Sequence, residues 1–203
     1  MLIKICGLRD NFSDVVALNP DFAGLIFYPK SPRYVESIHD ERLKQKLAGV
    51  KKVGVFVNAD KDYILDKVSE YHLDLVQLHG NENPDFCAEI RSDVPVIKAF
   101  GISSESDLQT ADEYSQYADY LLFDTKTKGY GGSGVKFDWQ ILQKSDIKQR
   151  FLLSGGISLE DLEDIKTLRI NNLVGVDLNS RFEDAPGLKN IEKLQQALNI
   201  LRK

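Results

Sequence analysis

Ala118-Asp-Tyr-Leu-Leu-Phe-Asp124 runs directly into Thr125-Lys-Thr-Lys-Gly-Tyr-Gly-Gly-Ser-Gly134, and the junction between them decides the fold. An apolar run of strand length stops on a carboxylate, a glycine-rich loop follows, and Phe137-Asp-Trp-Gln-Ile-Leu142 opens a helix-like pattern. A buried strand has no packing reason to finish on Asp124, whereas an active site at a strand's C-terminal end supplies one. The plainer reading is that Asp124 bonds its own backbone and caps the loop, as Asx residues often do. Taken alone, the stretch leaves the two readings even.

Outward from it, apolar runs bounded by turn chemistry recur along the chain, at residues 2–6, 22–28, 52–57, 73–79, 94–100, 120–124, 151–154 and 173–178. Between them the apolar residues follow helical spacing: Leu43 with Leu47, Ile64 with Val68 and Tyr71, and the stripe Ile191, Leu194, Leu198, Leu201. Helix starts are marked by Asn58 and Asp60, by Ser103 and Ser104 before Glu105, and by Ser158 before Glu160 and Asp161. Short helices are expected at residues 11–18 and after Pro20. Strand and helix alternating eight times predict a parallel sheet with crossover helices. An open doubly wound sheet could use the same pattern, but a closed (β/α)8 barrel fits the spacing better. No linker or low-complexity tract divides the chain, so residues 1–203 read as one domain.

Composition narrows the function. With 42% apolar and 28% charged residues the chain reads as an ordinary globule. A net charge of −5 argues against a nucleic-acid partner, whose footprint would be basic. No apolar run reaches the roughly eighteen residues of a membrane span, and the N-terminal run is too short for a signal peptide. Cys6 and Cys87 lie far apart without metal-ligand spacing, which predicts a reduced, cytoplasmic setting. His39, His72 and His79 make no zinc motif, so no metal site is expected.

Residues two apart on a strand share a face, which groups Lys4 with Cys6, Gln77 with His79, Lys98 with Phe100, Leu122 with Asp124, and Gly175 with Asp177 and Asn179. Polar residues on covered strands are unexpected on packing grounds, yet these gather towards the C-terminal ends, where a barrel's mouth lies. Lys4, Lys98 and Asp177 read as internal ion pairs or supports, and Gln77 and His79 as pocket lining. Cys6 ends its strand and Gly7 opens the loop; Cys87 sits among helical apolar residues and reads as core.

Gly129-Tyr-Gly131-Gly-Ser-Gly134 spells G-x-G-x-x-G, but it follows the sixth run rather than the first, so a dinucleotide site is a weak reading. A loop that folds over a ligand suits Gly131 and Gly132 better. Ser154-Gly155-Gly156 and Asn179-Ser180, after the seventh and eighth runs, fit a phosphate site. The helix opened by Ser158 would add its dipole.

Lys4-Ile-Cys-Gly7, Lys30-Ser-Pro-Arg-Tyr-Val35, Val76-Gln-Leu-His-Gly80, Phe123-Asp-Thr125 with Gly131-Gly-Ser-Gly134, Leu153-Ser-Gly-Gly156 and Gly175-Val-Asp-Leu-Asn-Ser180 with Pro186-Gly187 together resemble the phosphoribosylanthranilate isomerase family. The motifs arrive in order from end to end. The resemblance implies a (β/α)8 barrel of tryptophan biosynthesis. Such an enzyme rearranges N-(5′-phosphoribosyl)anthranilate, an Amadori reaction, to the carboxyphenylamino-deoxyribulose 5-phosphate without metal or cofactor. It implies Asp124 as general acid, Cys6 as general base, Arg33 on the anthranilate carboxylate, and the phosphate on Gly155, Gly156, Asn179 and Ser180. The implied partner is a small-molecule phosphosugar, with the protein a monomer or homodimer. The acid must be partly protonated and the thiol partly ionised; burial would raise the one, and a cation such as Lys4 or Arg9 would lower the other. One departure is visible: Arg181 stands where the family often has glycine, which would be costly at a position needing positive φ. The rivals are other phosphosugar barrels. The isomerase of histidine biosynthesis resembles a two-aspartate design, and indole-glycerol-phosphate synthase would want a catalytic lysine and glutamates at the mouth. A non-catalytic paralogue would be expected to lose Cys6 or Asp124.

Overall fold

The computed structural model describes residues 1–38, 40–126, 138–143 and 147–203. Gly131 and Gly132, the rest of the 129–134 glycine loop, Phe137 and His39 lie outside the described residues. Eight strands, β1 (Leu2–Cys6), β2 (Phe22–Ile26), β3 (Lys51–Phe56), β4 (Leu75–Leu78), β5 (Val96–Ile102), β6 (Tyr120–Thr125), β7 (Phe151–Leu153) and β8 (Leu173–Leu178), pair in chain order. All are parallel, and β8 returns to β1 to close the barrel. Their near-continuous apolar runs follow from burial on both faces.

Two separate cores result. Inside the barrel, Phe22, Val53, Leu75, Ile97, Ala99, Leu122 and Leu152 pack into an apolar lower layer. Outside it, the opposite faces of the strands pack against the helices α1 (Phe12–Ala17), α2 (Lys61–Tyr71), α3 (Pro84–Arg91), α4 (Glu105–Asp112), α5 (Gln140–Gln143), α6 (Leu162–Thr167) and α7 (Ile191–Leu201). In α7 the predicted stripe is the buried one: Leu194, Leu198 and Leu201, with Ala197. Burying each leucine contributes roughly 1.5–3 kcal/mol. The expected helix starts are real caps. Asp60 accepts from Tyr63 N at 2.8 Å, and Ser104 and Ser158 form capping boxes with Asp107 and Asp161.

Two expectations of the fold fail, and one element was not expected. No helix follows Pro20: β2 begins at Phe22, and among the described residues the connection to β3 contains only 3-10 turns, at Val35–Ser37 and Glu41–Lys44. Leu43 is buried and Leu47 packs beside it, but two leucines do not make a helical face. The second turn is fixed by side chains instead. Asp40 accepts from Arg42 N, and the buried Lys52 donates from Nζ to Leu43 O at 3.1 Å and Gln45 O at 2.7 Å. Lys98, expected inside the barrel, faces the helical layer, because Ile97 and Ala99 take the inward positions. Its ammonium meets Glu82 at 3.1 Å and lies 5.2 Å from the Phe100 ring centroid. Finally, after β8 the chain forms an unpredicted antiparallel pair, β9 (Glu183–Ala185) and β10 (Leu188–Lys189).

Candidate active site

A cavity opens at the C-terminal ends of the strands. Apart from Arg33, every described residue expected at the site lines it. β1 ends on Cys6 and β6 carries Asp124 next to its end; β4 aims Gln77 inward and His79 follows it. All eight strands are parallel, so their C-terminal ends meet at one mouth of the barrel, which is why residues far apart in sequence converge.

Asp124 both bonds its own loop and faces the cavity. Its Oδ1 accepts from Thr125 N at 2.7 Å, the local cap of the plain reading. Its Oδ2 is 3.7 Å from His79 Nε2 in the cavity. Burial pushes the carboxyl up to about 6, against the pull of the Thr125 N–H and with the push of nearby Asp177. A carboxyl there exchanges its proton near neutrality.

His79 is neutral: burial, with the positive fields of Lys98 and Lys4, holds it down at about 3. Gln77 Nε2 lies 3.0 Å from His79 Nδ1. With the amide donating there, the imidazole proton sits on Nε2, the nitrogen turned towards Asp124. Gln77 Oε1 is buried with no partner among the described residues. It is an acceptor open to a ligand hydroxyl.

Cys6 is 4% exposed. Burial raises its thiol above the ordinary range, and Asp177 adds to this; Lys4 and Lys189 pull the other way without prevailing. The expected shift of the thiol towards neutrality therefore fails. Arg9, the other expected helper, bonds Asp10, Pro32 O and Pro186 O and does not contribute. Lys4 is fully buried and pairs with Asp177 at 2.9 Å, and Ser154 Oγ donates to the same carboxylate at 3.3 Å. The expected internal ion pair is present.

The glycine loop after β7 turns through positive φ, 92° at Gly155 and 66° at Gly156. A Cβ on Gly155 would stand 2.4 Å from Thr125 Oγ1 and 3.0 Å from Asp124 Oδ1. Only glycine brings this loop so close to the acid. Asn179 caps a 3-10 turn at Ser180–Phe182, and both Asn179 and Ser180 line the cavity. Arg181 has no positive φ, so glycine is not required there. Ser158 gives its N–H and hydroxyl to Asp161 Oδ2, both at 2.7 Å.

Arg33 lies beside the cavity rather than in its wall. Its stem crosses Gly7 (φ 74°): a Cβ on that glycine would meet Arg33 Cδ at 2.6 Å and Asn179 Oδ1 at 2.8 Å. The guanidinium is bidentate on Glu183, with contacts of 2.7 to 3.0 Å. Sequence reasoning missed Glu183 and Lys189, which sit in the unpredicted hairpin. The signal available was three charges in the ten residues after β8, where a plain loop needs none. Among the described residues, no set of three His, Cys, Asp or Glu side chains is arranged to hold a metal ion, and no helix is long and apolar enough to cross a membrane.

Residues 3–199 match the family model described as N-(5′-phosphoribosyl)anthranilate (PRA) isomerase. A curated N-(5′-phosphoribosyl)anthranilate isomerase of Parabacteroides distasonis is 46% identical over 96% of this chain and 90% of its own. The crystal structure of phosphoribosyl anthranilate isomerase from Thermotoga maritima superposes with a TM-score of 0.86 at 37% identity, covering 100% and 99% of the two chains. A solved phosphoribosyl anthranilate isomerase in complex with reduced 1-(o-carboxyphenylamino)-1-deoxyribulose 5-phosphate superposes at 0.83 and 34%, covering 100% and 98%.

Proposed function

This chain belongs to the N-(5′-phosphoribosyl)anthranilate isomerase family, with the isomerase activity of tryptophan biosynthesis, and on that premise we propose how its residues divide the reaction. Asp124 is the general acid. Its proton goes to the ribose ring oxygen, the bond from that oxygen to C1′ breaks, and a protonated Schiff base with the anthranilate nitrogen remains. Cys6 is the general base and takes the proton from C2′; the enolamine formed tautomerises to the ketone product.

The observation that carries this reading is a carboxyl near pKa 6 sharing one cavity with a buried thiol. The raised thiol fits a base that is silent until substrate arrives. The Schiff base brings a positive charge into a site of low dielectric, and a cation at short range favours thiolate. His79, held neutral with Nε2–H turned to Asp124, stabilises the carboxylate left after proton donation. Gln77 Oε1 receives a sugar hydroxyl.

Arg33 binds the anthranilate carboxylate, for which a planar fork is suited. Gly155, Gly156, Asn179 and Ser180 hold the phosphate by backbone N–H and side-chain donors. The phosphosugar is the partner, the protein works in the cytoplasm as a monomer or homodimer, and residues 1–203 act as one domain.

The test is an assay of purified protein with freshly generated phosphoribosylanthranilate and no added metal or cofactor, read as loss of substrate fluorescence. Turnover that vanishes in Asp124→Asn and Cys6→Ser supports the assignment. Unchanged turnover in either removes that residue from its role.

A further inference from the structure

Beside the cavity, three buried charges form one cluster. Glu183 Oε2 accepts from Arg33 Nη2 at 2.7 Å, and its two oxygens accept from Arg33 Nε at 2.9 and 3.0 Å. Glu183 Oε1 also accepts from Lys189 Nζ at 2.7 Å and from Gly187 N at 3.3 Å. Lys189 then reaches onward and donates to Asn179 Oδ1 at 2.8 Å. The hairpin that carries this lysine inverts the ordinary preference: Lys189 is 1% exposed while its neighbour Leu188 is 37% exposed. Burying an ammonium costs more than burying a leucine contributes, so contacts rather than packing hold this register. Arg33 Nη1 bonds none of the described residues. Two cations share one carboxylate, which leaves the cluster with an excess positive charge beside the cavity.

We infer that Glu183 is a positioning residue that joins the two ends of the pocket: it grips the Nε–Nη2 edge of Arg33, so that the Nη1 end faces the ligand's carboxylate, and it holds Lys189 on the Asn179 amide at the phosphate end. The inference rests on the roles proposed above for Arg33 and Asn179. Without the carboxylate, Arg33 loses the partner that fixes its torsions, and Lys189, already drawn down by burial, loses the charge that keeps it protonated. Both ends of the ligand then meet donors that have drifted, and an error of about 1 Å in placement is worth up to a hundredfold.

The experiment measures free anthranilate and inorganic phosphate as inhibitors of the full chain, with KM and kcat alongside. Glu183→Gln is expected to weaken both inhibitors by about tenfold or more and to raise KM, with a much smaller change in kcat. Arg33→Ala should weaken anthranilate alone, and Lys189→Met phosphate alone. The deciding comparison is a double-mutant cycle. Adding Glu183→Gln to Arg33→Ala should cost anthranilate nothing more, and adding it to Lys189→Met should cost phosphate nothing more. Full additivity in either cycle, or unchanged inhibition in Glu183→Gln, overturns the inference. If Arg33→Ala leaves anthranilate inhibition unchanged, the role given to Arg33 fails, and Glu183 stands or falls on the phosphate cycle. Should Glu183→Gln not fold, Glu183→Asp keeps the charge, withdraws its reach and carries the same measurements.

Discussion

Lys4 of β1 and Asp177 of β8 are register partners across the seam where the barrel closes, and their side chains meet at 2.9 Å with neither more than 6% exposed. The first strand is thus joined to the last by an ion pair as well as by backbone hydrogen bonds. Lys4 is held above its ordinary pKa although burial pulls it down, because Asp177 and Cys6 outweigh that pull. Lys4→Met strands the carboxylate. Removing one partner of a buried pair costs about 3–5 kcal/mol, and the variant should unfold at a correspondingly lower urea concentration. The thiol of Cys6 also loses its nearest cation, so the rate of its alkylation should rise only at higher pH than in the wild type. An unfolding midpoint equal to the wild type's would mean that the pair contributes nothing.

Asp124→Asn separates activity from stability. Losing a general acid typically costs about 10²–10⁴-fold in turnover. The folded carboxyl sits at about 6, above its ordinary 3.8, so its contribution to stability is full below pH 3.8 and is lost as pH rises through 6. At about pH 8 the ionised form is disfavoured by on the order of 3 kcal/mol, and the amide escapes that penalty. Denaturant titrations should find the variant more stable than wild type at about pH 8 and no more stable at about pH 4. A gain equal at both pH values would locate its cause outside this carboxyl.

The two cysteines should differ in how they respond to ligand. Burial raises both thiols, Cys87 to about 11, but Cys6 lines the open cavity and Cys87 lies on the buried face of α3. Alkylation of the native protein at alkaline pH should label Cys6 alone, abolish activity and be blocked by a product analogue. Peptide mapping by mass spectrometry reads the outcome. Label on Cys87 before Cys6 would count against Cys6 as base.

Gly7→Ala tests how tightly Arg33 and Asn179 are held. The new methyl would lie 2.6 Å from Arg33 Cδ and 2.8 Å from Asn179 Oδ1, on a backbone at φ 74°. The backbone strain costs about 1–2 kcal/mol of stability. KM should rise well beyond what that loss explains, because both arms of the pocket shift. A variant with reduced stability and an unaltered KM would show that the two side chains relax freely around the methyl.

The barrel was legible in the sequence because a strand covered on both faces has to be apolar. All eight runs correspond to strands, and Cys6 and Asp124 were conspicuous as polar ends to such runs. Lys98 misled because alternation gives which residues share a face but not which face is inside; the neighbours Ile97 and Ala99 decide that. The region after Pro20 misled because two leucines four apart satisfy a helix and a pair of short turns equally. Glu183 was marked only by the cluster of charges after β8, and its role was hidden for a different reason. Its partner Arg33 is 150 residues away, and an ion pair between loops leaves no periodic trace.

The lower layer of the barrel interior, from Phe22 round to Leu152, also sets the traffic of the site. It fills the barrel interior below the pocket, so that among the described residues the pocket opens at the strand tips. Arrival and departure use the same opening, so a departing product must clear it before the next substrate enters. Product and its analogues are therefore expected to compete with substrate, since occupants of one cavity exclude each other.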